Sequence, residues 1–256
     1  MRAINHATRI NPYQLCRVAD VGDIPFESAF DIEKAHAEIF NFIAAMVKAD
    51  VIPLSCGGDH SVSLPILRAV AKQPLAFIHI DAHTDTWDSF QGSKFNHGAP
   101  FRRAHEEGLI DSTKTVQIGI RGAQNVSEGW DYSENAGMRV MFVEEVQKHG
   151  VDEIIKEVRC IVGNTPVYLS FDIDSLDPAF APGTGTPEIA GLTTSEAIGL
   201  IRGFRNLNFV GADIVEVSPP FDTGGLTSMT GATVMYELLC VLAEAINTGK
   251  GQFRFT

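Results

Sequence analysis

The cysteines of this sequence form none of the patterns that mark a zinc ribbon or a disulfide scaffold. There are four of them, and they are widely separated with no C-x-x-C pair: Cys16, Cys56, Cys160 and Cys240. A zinc ribbon is therefore excluded, and the spacing fits reduced thiols. We accordingly expect a cytoplasmic location.

Positive charge is also scarce. The chain carries 20 Lys and Arg residues against 32 Asp and Glu residues, which gives a formal net charge of −12. Nucleic-acid binding depends on clustered Lys and Arg that neutralise phosphates, so we expect no nucleic-acid partner. A cationic substrate, in contrast, would be attracted by this charge.

Long uninterrupted apolar runs are missing as well. The first residues show no charged-then-apolar leader, and the most apolar late stretch, residues 234–246, is interrupted by Glu237 and Glu244. The sequence also contains no low-complexity tract and no internal repeat. We therefore expect an ordered, soluble, single domain over residues 1–256, with no membrane partner.

Strand-like and helix-like segments alternate along the chain. Short apolar runs predict strands at residues 15–20, 51–56, 75–81, 115–120, 138–142, 167–171 and 209–215. Apolar spacing of helical period predicts helices at residues 30–49, 61–71, 99–107, 151–161, 193–203 and 226–246, with weak helical character over residues 1–11. Polar loops are expected at residues 82–98, 123–135 and 177–191. This alternation predicts an α/β, three-layer α-β-α fold with a mainly parallel sheet covered on both faces.

Acids and imidazoles follow four of the predicted strands. Such sheets bind ligands beyond the carboxyl ends of their strands, and there the sequence places His60, Asp81, His83, Asp85, Asp172, Asp174 and Glu216. Carboxylates crowded at the end of a buried strand repel one another unless a cation lies between them. Each motif alone is weak, but together they indicate a metal site.

Structural explanations compete for some of these residues. Asp172 and Asp174 lie in a segment rich in turn formers, and His60 could cap the next helix. A structural role is the preferred interpretation for three neighbouring residues: Asp59, which could also orient His60; Asp177; and His79, which could also support a ligand.

The donor set indicates the metal. Four carboxylates and two imidazoles without a thiolate favour Mn²⁺, and Ni²⁺, Co²⁺ or Fe²⁺ also fit. Six ligands suit two adjacent ions if carboxylates such as Asp81 and Asp172 bridge them. Two cations could lower the pKa of a bridging water from about 15.7 to about 7, giving hydroxide at neutral pH.

Three motifs carry most of these residues: GGDHS at residues 57–61, DAHTD at residues 81–85 and SFDIDSLDP at residues 170–178. They resemble the metal motifs of the ureohydrolases, the family of arginase, agmatinase and the guanidino-acid hydrolases, and the resemblance extends over nearly the whole chain. It implies the arginase/deacetylase-like fold and homo-oligomers, often trimers or hexamers. It also implies two Mn²⁺ ions, one held by His60, Asp81, Asp85 and Asp172, and the other by Asp81, His83, Asp172 and Asp174.

The same resemblance suggests the substrate side. Glu216 in VEVSPP looks like the glutamate that pairs with a substrate guanidinium, and Thr186 lies in GTGTP, which looks like the loop lining that pocket. His97 in NHGAPFRR resembles a histidine that shuttles a proton to the departing amine, and Asp85 would relay a proton. From the residues alone, Glu216 could also be a solvated acid and His97 a surface histidine.

The choice of substrate is less direct. Arginases place an asparagine two residues after the DAHTD motif, and here that position is Trp87. The chain therefore looks more like the agmatinase, guanidinobutyrase and guanidinopropionase branch, with a small cationic or zwitterionic guanidino substrate. Arg102, Arg103 and Arg121 could meet a substrate carboxylate, but structural ion pairs are the preferred interpretation.

Three expectations remain open alongside a urea-releasing hydrolase. The resemblance predicts one strand fewer than the family has, because this N-terminally short chain starts after the segment that carries the family's first strand. A catalytically silent metal-binding homologue is therefore an alternative function. Another two-metal hydrolase such as a phosphoesterase is a further alternative, although Glu216 argues against it.

Overall fold

A parallel six-stranded sheet forms the centre of the molecule. The computed structural model describes residues 3–28, 30–124 and 126–249. The strands are β1 (Leu54–Cys56), β2 (Leu75–Ile80), β3 (Ile110–Ile120), β4 (Arg139–Phe142), β5 (Val167–Asp172) and β6 (Phe209–Val215), in the spatial order β1-β6-β5-β2-β3-β4. Every described pair of neighbouring strands is parallel.

Helices cover both faces of this sheet. They are α1 (Pro12–Leu15), α2 (Ile32–Lys48), α3 (Ser63–Val70), α4 (Pro100–Glu106), α5 (Glu128–Asn135), α6 (Val143–His149), α7 (Val151–Val162), α8 (Thr194–Gly203) and α9 (Leu226–Asn247). One apolar core joins the sheet to α6, α7, α8 and α9, and a second joins it to α2, α3 and α4. The predicted three-layer α-β-α fold is confirmed.

The central strands are buried on both faces because their sequences are almost continuously apolar. Every residue of β2, β5 and β6 is buried. Local signals set the helix starts: Thr193 accepts a hydrogen bond from the Glu196 backbone N–H, and the Glu196 side chain accepts one from the Thr193 backbone N–H. This reciprocal capping fixes the start of α8 directly after the loop of residues 177–191.

Helix α9 is the most apolar long helix. Counted with the preceding 3₁₀ turn as Thr223–Asn247, it is the one helix in the described part of the chain that is long and apolar enough to cross a membrane. Its buried residues Val234, Leu238 and Val241 belong to the same core as β5 and β6. The composition of α9 is therefore explained by burial against the sheet.

Two predicted elements are not found among the described residues, and two helices were not predicted. Residues 15–20 form no strand: α1 ends at Leu15, and the following segment pairs with none of the described strands. That prediction was wrong because an apolar alternation becomes a strand only where a partner edge is available. Helix α5, which lies within the predicted loop of residues 123–135, and helix α6 were missed, and the described residues form six strands instead of the predicted seven. Residues 3–11 contain only turns and irregular backbone, while Met1 and Arg2 of the predicted opening helix lie outside the described residues.

The sheet order brings the four motif-bearing strands together. Strands β1, β6, β5 and β2 are consecutive neighbours, and all four run in the same direction. The residues that follow them therefore emerge at one edge of the sheet, side by side. That edge carries the candidate metal centre.

Candidate metal centre

Three carboxylates surround the ring of His60. Its Nδ1 lies 3.1 Å from Asp81 Oδ2, 2.9 Å from Asp85 Oδ2 and 3.1 Å from Asp172 Oδ2, and His60 is buried. None of these oxygens is aligned as a hydrogen-bond acceptor, so the buried Nδ1 has no hydrogen-bond partner. An imidazole nitrogen and three carboxylate oxygens that converge without hydrogen bonds to one another are the arrangement expected around a cation.

A second group forms around His83. Its Nδ1 lies 3.2 Å from Asp174 Oδ2 and 3.5 Å from Asp81 Oδ1. Asp81 thus turns one oxygen towards each histidine, which is the geometry of a bridging carboxylate. Asp172 directs Oδ2 to His60, while its Oδ1 accepts the backbone N–H of Asp174 at 2.8 Å.

The protonation equilibria of these groups reflect their crowding. Burial, together with Asp174 and Asp81, raises the pKa of Asp172 well above its usual range. Burial alone would lower the pKa of His83, but Asp174 and Asp81 outweigh it and raise that pKa to about 12. Protons therefore balance the carboxylates where no cation does, and a divalent ion would displace them.

The residues present fit a pair of divalent ions. Six side chains offer oxygen and nitrogen donors, and all are buried except His83, which is partly exposed: His60, Asp81, His83, Asp85, Asp172 and Asp174. They form two groups that share Asp81, each with ligand atoms close enough to hold one ion. Such donors suit hard to borderline ions.

Behind His60 lies a buried hydrogen-bond network that the sequence reasoning missed. The ring Nε2 of His60 lies 2.8 Å from Ser170 Oγ, which donates to Asp213 Oδ1 at 2.5 Å. The other oxygen of Asp213 accepts from Ser63 Oγ at 2.7 Å and from the Tyr168 hydroxyl at 2.8 Å. The signal was available, because Asp213 is an acid inside the otherwise apolar strand β6.

Glu216 follows β6 directly and lies against the first group. Its Oε1 accepts the backbone N–H of His60 at 2.6 Å, and its backbone is left-handed with a φ of 62°. Asp85 shares this unusual conformation with a φ of 51°. Burial raises the pKa of Glu216 to about 7. A carboxylate held in this way is placed to pair with a cation that enters the site.

The loop of residues 183–187 borders both Glu216 and the second group. Thr186 Oγ1 donates to Asp174 Oδ2 at 3.0 Å. A Cβ added at Gly185 would lie 3.9 Å from Glu216 Oε2. The structure therefore brings Thr186 and Glu216, two of the predicted substrate residues, to the same edge as the ligands.

His97 is not joined to this group. Its side chain is exposed, its ring centroid lies 6.1 Å from that of Phe90, and none of the contacts among the described residues links it to a candidate ligand. The adjacent Gly98 carbonyl accepts the backbone N–H of Trp87, so the loop does return to the DAHTD segment. The Trp87 indole donates to Gln124 Oε1 at 3.3 Å. The proton-shuttle role of His97 remains a prediction.

Several acids nearby are structural, as preferred from the sequence. Asp59 accepts the backbone N–H of Ser61 at 2.8 Å and thereby caps the 3₁₀ turn that begins at His60, so the alternative in which His60 is the cap does not hold. Asp177 accepts the backbone N–H groups of Ala179 and Gly191. Both carboxylates stabilise loops that carry ligands.

The three arginines considered for a substrate carboxylate are engaged elsewhere. Arg102 pairs with Glu106 and Glu128, and Arg103 pairs with Asp88. Arg121 is buried and donates to backbone carbonyls on both sides of the loop, including those of Asp174, Ser175, Glu188 and Ile189. These contacts support the structural interpretation.

Comparison with known proteins identifies the family. The sequence model of the arginase family matches residues 1–240. Guanidinopropionase of Pseudomonas aeruginosa is 51% identical over 96% of this chain and 77% of its own length, and agmatinase of Proteus mirabilis is 45% identical over 89% and 71%. The structure of proclavaminate amidino hydrolase from Streptomyces clavuligerus superposes with a TM-score of 0.91 at 41% identity, covering 96% of this chain and 82% of that one. This chain therefore belongs to the arginase family.

Proposed function

We propose that this protein is a hydrolase that releases urea and an amine from a linear guanidino compound such as agmatine, 4-guanidinobutyrate or 3-guanidinopropionate. The observation that carries the proposal is the pair of ligand groups that share Asp81, with Glu216 beside them. Relatives named guanidinopropionase, guanidinobutyrase and agmatinase, each at least 45% identical to this chain, support the substrate class.

The metal assignment follows the family resemblance and the donor set. His60, Asp81, Asp85 and Asp172 would hold one ion, and Asp81, His83, Asp172 and Asp174 the other. We assign Mn²⁺, with Ni²⁺ and Co²⁺ as ions that the same oxygen and nitrogen donors accept. When bound, the two ions would supply Lewis acidity and an activated water at neutral pH.

Glu216 would orient the substrate. A guanidinium is planar and permanently charged, and a carboxylate can accept two parallel hydrogen bonds from it. The cation would also favour the ionised form of Glu216, whose pKa burial has raised to about 7. Thr186 would line the same pocket through its bond to Asp174.

The departing amine needs a proton, and His97 is assigned to deliver it, with Asp85 as a relay. His97 lies in the loop that begins just after the DAHTD segment. Homo-oligomeric assembly as a trimer or hexamer, from the family resemblance, and a cytoplasmic location, from the dispersed cysteines, complete the proposal.

The decisive experiment is a urea-release assay of the Mn²⁺-loaded protein with agmatine, 4-guanidinobutyrate, 3-guanidinopropionate and arginine. We expect urea from at least one of the first three, and little from arginine because Trp87 occupies the position of the arginase asparagine. A protein that binds Mn²⁺ but releases no urea from any of them would favour the catalytically silent homologue.

A further inference from the structure

His79 and Gln117 lie side by side in the centre of the sheet, next to the candidate metal centre. They are register partners on the neighbouring strands β2 and β3, so their side chains share one face. Both side chains are completely buried. Polar side chains in such strands need hydrogen-bond partners, and those of Gln117 and His79 form a short series of hydrogen bonds that ends at Asp81.

The first of these hydrogen bonds fixes the orientation of the Gln117 side-chain amide. Its Nε2 lies 2.6 Å from the backbone carbonyl oxygen of Thr84. Only the nitrogen end of the amide can occupy that place, because the reversed amide would bring two oxygens together without a proton between them. Gln117 Nε2 is therefore a donor, and its second hydrogen is free for another acceptor.

That acceptor is the ring of His79. Gln117 Nε2 lies 3.1 Å from His79 Nδ1, so Nδ1 faces an N–H group and must present its lone pair. In the neutral imidazole the proton then resides on Nε2, which lies 2.7 Å from Asp81 Oδ2 and donates to it. The ring also packs against Phe77 and Phe101, at centroid distances of 5.7 and 4.4 Å, and these contacts oppose its rotation.

The receiving oxygen is the one that faces the first ligand group. Asp81 Oδ2 lies 3.1 Å from His60 Nδ1, whereas Asp81 Oδ1 is directed towards His83. Anchoring Oδ2 fixes the plane of the carboxylate and hence the direction in which each oxygen meets its ion.

We infer that Gln117 is a positioning residue for the metal centre: it selects the Nε2–H tautomer of His79, so that this histidine orients the bridging carboxylate of Asp81 and is prevented from acting as a ligand itself. His79 Nε2 lies within reach of the first ligand group, but a nitrogen that carries a proton cannot bind a metal. The inference builds on the two-metal site of the proposed function and assigns a role to a residue outside it.

The unpartnered end of Gln117 supports this role. Its Oε1 is buried and has no hydrogen-bond partner among the described residues. Such an atom is costly for stability, so a glutamine at this position is not explained by packing alone. The two hydrogen bonds that Gln117 Nε2 donates, to the Thr84 carbonyl and to His79 Nδ1, explain why a glutamine is present.

Two measurements test the inference, and neither needs substrate, so their outcome is independent of whether urea is released. The first is the affinity for Mn²⁺ of the wild type, Gln117→Met and Thr115→Val, by equilibrium competition with a chelating indicator. We expect Gln117→Met to bind about ten- to a hundredfold more weakly. Thr115→Val is the matched control, because it removes a partly buried hydrogen bond, from Thr115 Oγ1 to the Asp111 carbonyl, on the same strand but outside the Gln117–His79–Asp81 hydrogen bonds. It should bind Mn²⁺ as the wild type does, and equal affinity in a folded Gln117→Met would overturn the inference.

The second measurement uses the wild type alone, so it holds even where a variant fails to fold. Nitrogen NMR of the ring-labelled, metal-free protein should show His79 with a protonated Nε2 and an unprotonated Nδ1, as the hydrogen bonds to Asp81 and from Gln117 require. The signals of buried His36, which bonds Ser61, serve as an internal reference. A wild-type His79 that carries a proton on Nδ1 would overturn the inference.

Discussion

The carboxylate of Glu216 accepts a hydrogen bond from the backbone N–H of His60 at 2.6 Å. The residue proposed to bind the guanidinium is thus tied directly to a residue proposed to bind the metal. Removal of the Glu216 side chain would affect both functions, whereas removal of its charge alone would separate them.

Replacement of Glu216 by Gln should abolish guanidinium recognition and leave the metal in place. Glutamine retains an oxygen for the His60 N–H but loses the charge that pairs with the substrate. We expect kcat/KM to fall at least about a hundredfold, which corresponds to about 2.7 kcal/mol, with unchanged Mn²⁺ content by elemental analysis. Glu216→Ala, which also removes the acceptor for His60, should lose metal affinity as well. Wild-type turnover in Glu216→Gln would contradict the assignment.

Removal of the metal should destabilise the protein. Mn²⁺ bound to the native state raises the free energy of unfolding by about 2.7 kcal/mol for each site at a hundredfold excess over its Kd. The thermal midpoint should therefore drop after dialysis against a chelator and return on addition of Mn²⁺. Asp174→Asn should reduce this response together with activity, whereas Asp177→Asn, which alters a loop cap outside the ligand groups, should retain it. A midpoint insensitive to Mn²⁺ would exclude the site.

Two glycines of the pocket loop should respond differently to alanine. A Cβ at Gly183 would lie 2.8 Å from the Cα of Asp222, so Gly183→Ala must displace backbone and should cost about 1–3 kcal/mol of stability. At Gly185 the same atom makes only an ordinary contact, 3.9 Å from Glu216 Oε2. Gly185→Ala should therefore fold normally and raise KM by narrowing the guanidinium pocket. Denaturant unfolding and steady-state kinetics distinguish the two, and equal KM values for Gly185→Ala and wild type would place the pocket elsewhere.

Arg121 should be essential for stability and neutral for substrate choice. Its planar guanidinium reaches carbonyls that a lysine ammonium cannot satisfy together, so Arg121→Lys should cost about 3 kcal/mol in denaturant unfolding. The ratio of kcat/KM for 4-guanidinobutyrate over agmatine should stay constant, because Arg121 does not meet the substrate carboxylate. Arg102→Lys, at a surface ion pair, should cost less than about 1 kcal/mol. A selective loss of guanidinobutyrate turnover in Arg121→Lys would contradict this role.

The stability of the protein should depend on His36 at mildly acidic pH. Burial, aided by Arg68 and opposed by Asp59, lowers the pKa of His36 to about 4. Between the ordinary value of about 6.5 and about 4, the unfolded chain binds a proton that the native state does not, so stability falls as the pH falls, by up to about 1.4 kcal/mol per pH unit. His36→Gln should remove this contribution. The test is the free energy of unfolding of the wild type minus that of His36→Gln, measured as a function of pH. This difference should fall as the pH falls from about 6.5 to about 4 and should be constant above about pH 6.5. A difference that does not change with pH would refute the role of His36.

The sequence predicts the main architecture because buried parallel strands are continuous apolar runs. It fails where an element depends on context. Helix α5 is largely polar, and its Gly129 carbonyl is held by Thr86 from a distant loop. Helix α6 offers only Val143 and Val146 as buried residues, too few for a periodic signal.

The ligand residues were predictable for a related reason, since acids that follow buried strands stand out. Ser170, Asp213 and Gln117 acquired no role from the sequence, because each is a polar residue within a strand and its partner is not adjacent in sequence. Their partners lie on neighbouring strands, and strand order is not encoded in any local pattern. The side-chain hydrogen bonds between neighbouring strands had to be seen in the structure before a role could be assigned to these residues.

The left-handed backbone conformations of Asp85 and Glu216 affect how tightly this centre can bind a metal ion or a guanidinium. A residue with a Cβ is less stable in that conformation by about 1–2 kcal/mol, and here the surrounding fold imposes it on both. Because neither carboxylate has to search for its orientation when an ion or a guanidinium arrives, little conformational freedom remains to be lost at that moment. The entropy cost of orienting these two carboxylates is therefore met during folding and does not reduce the binding affinity.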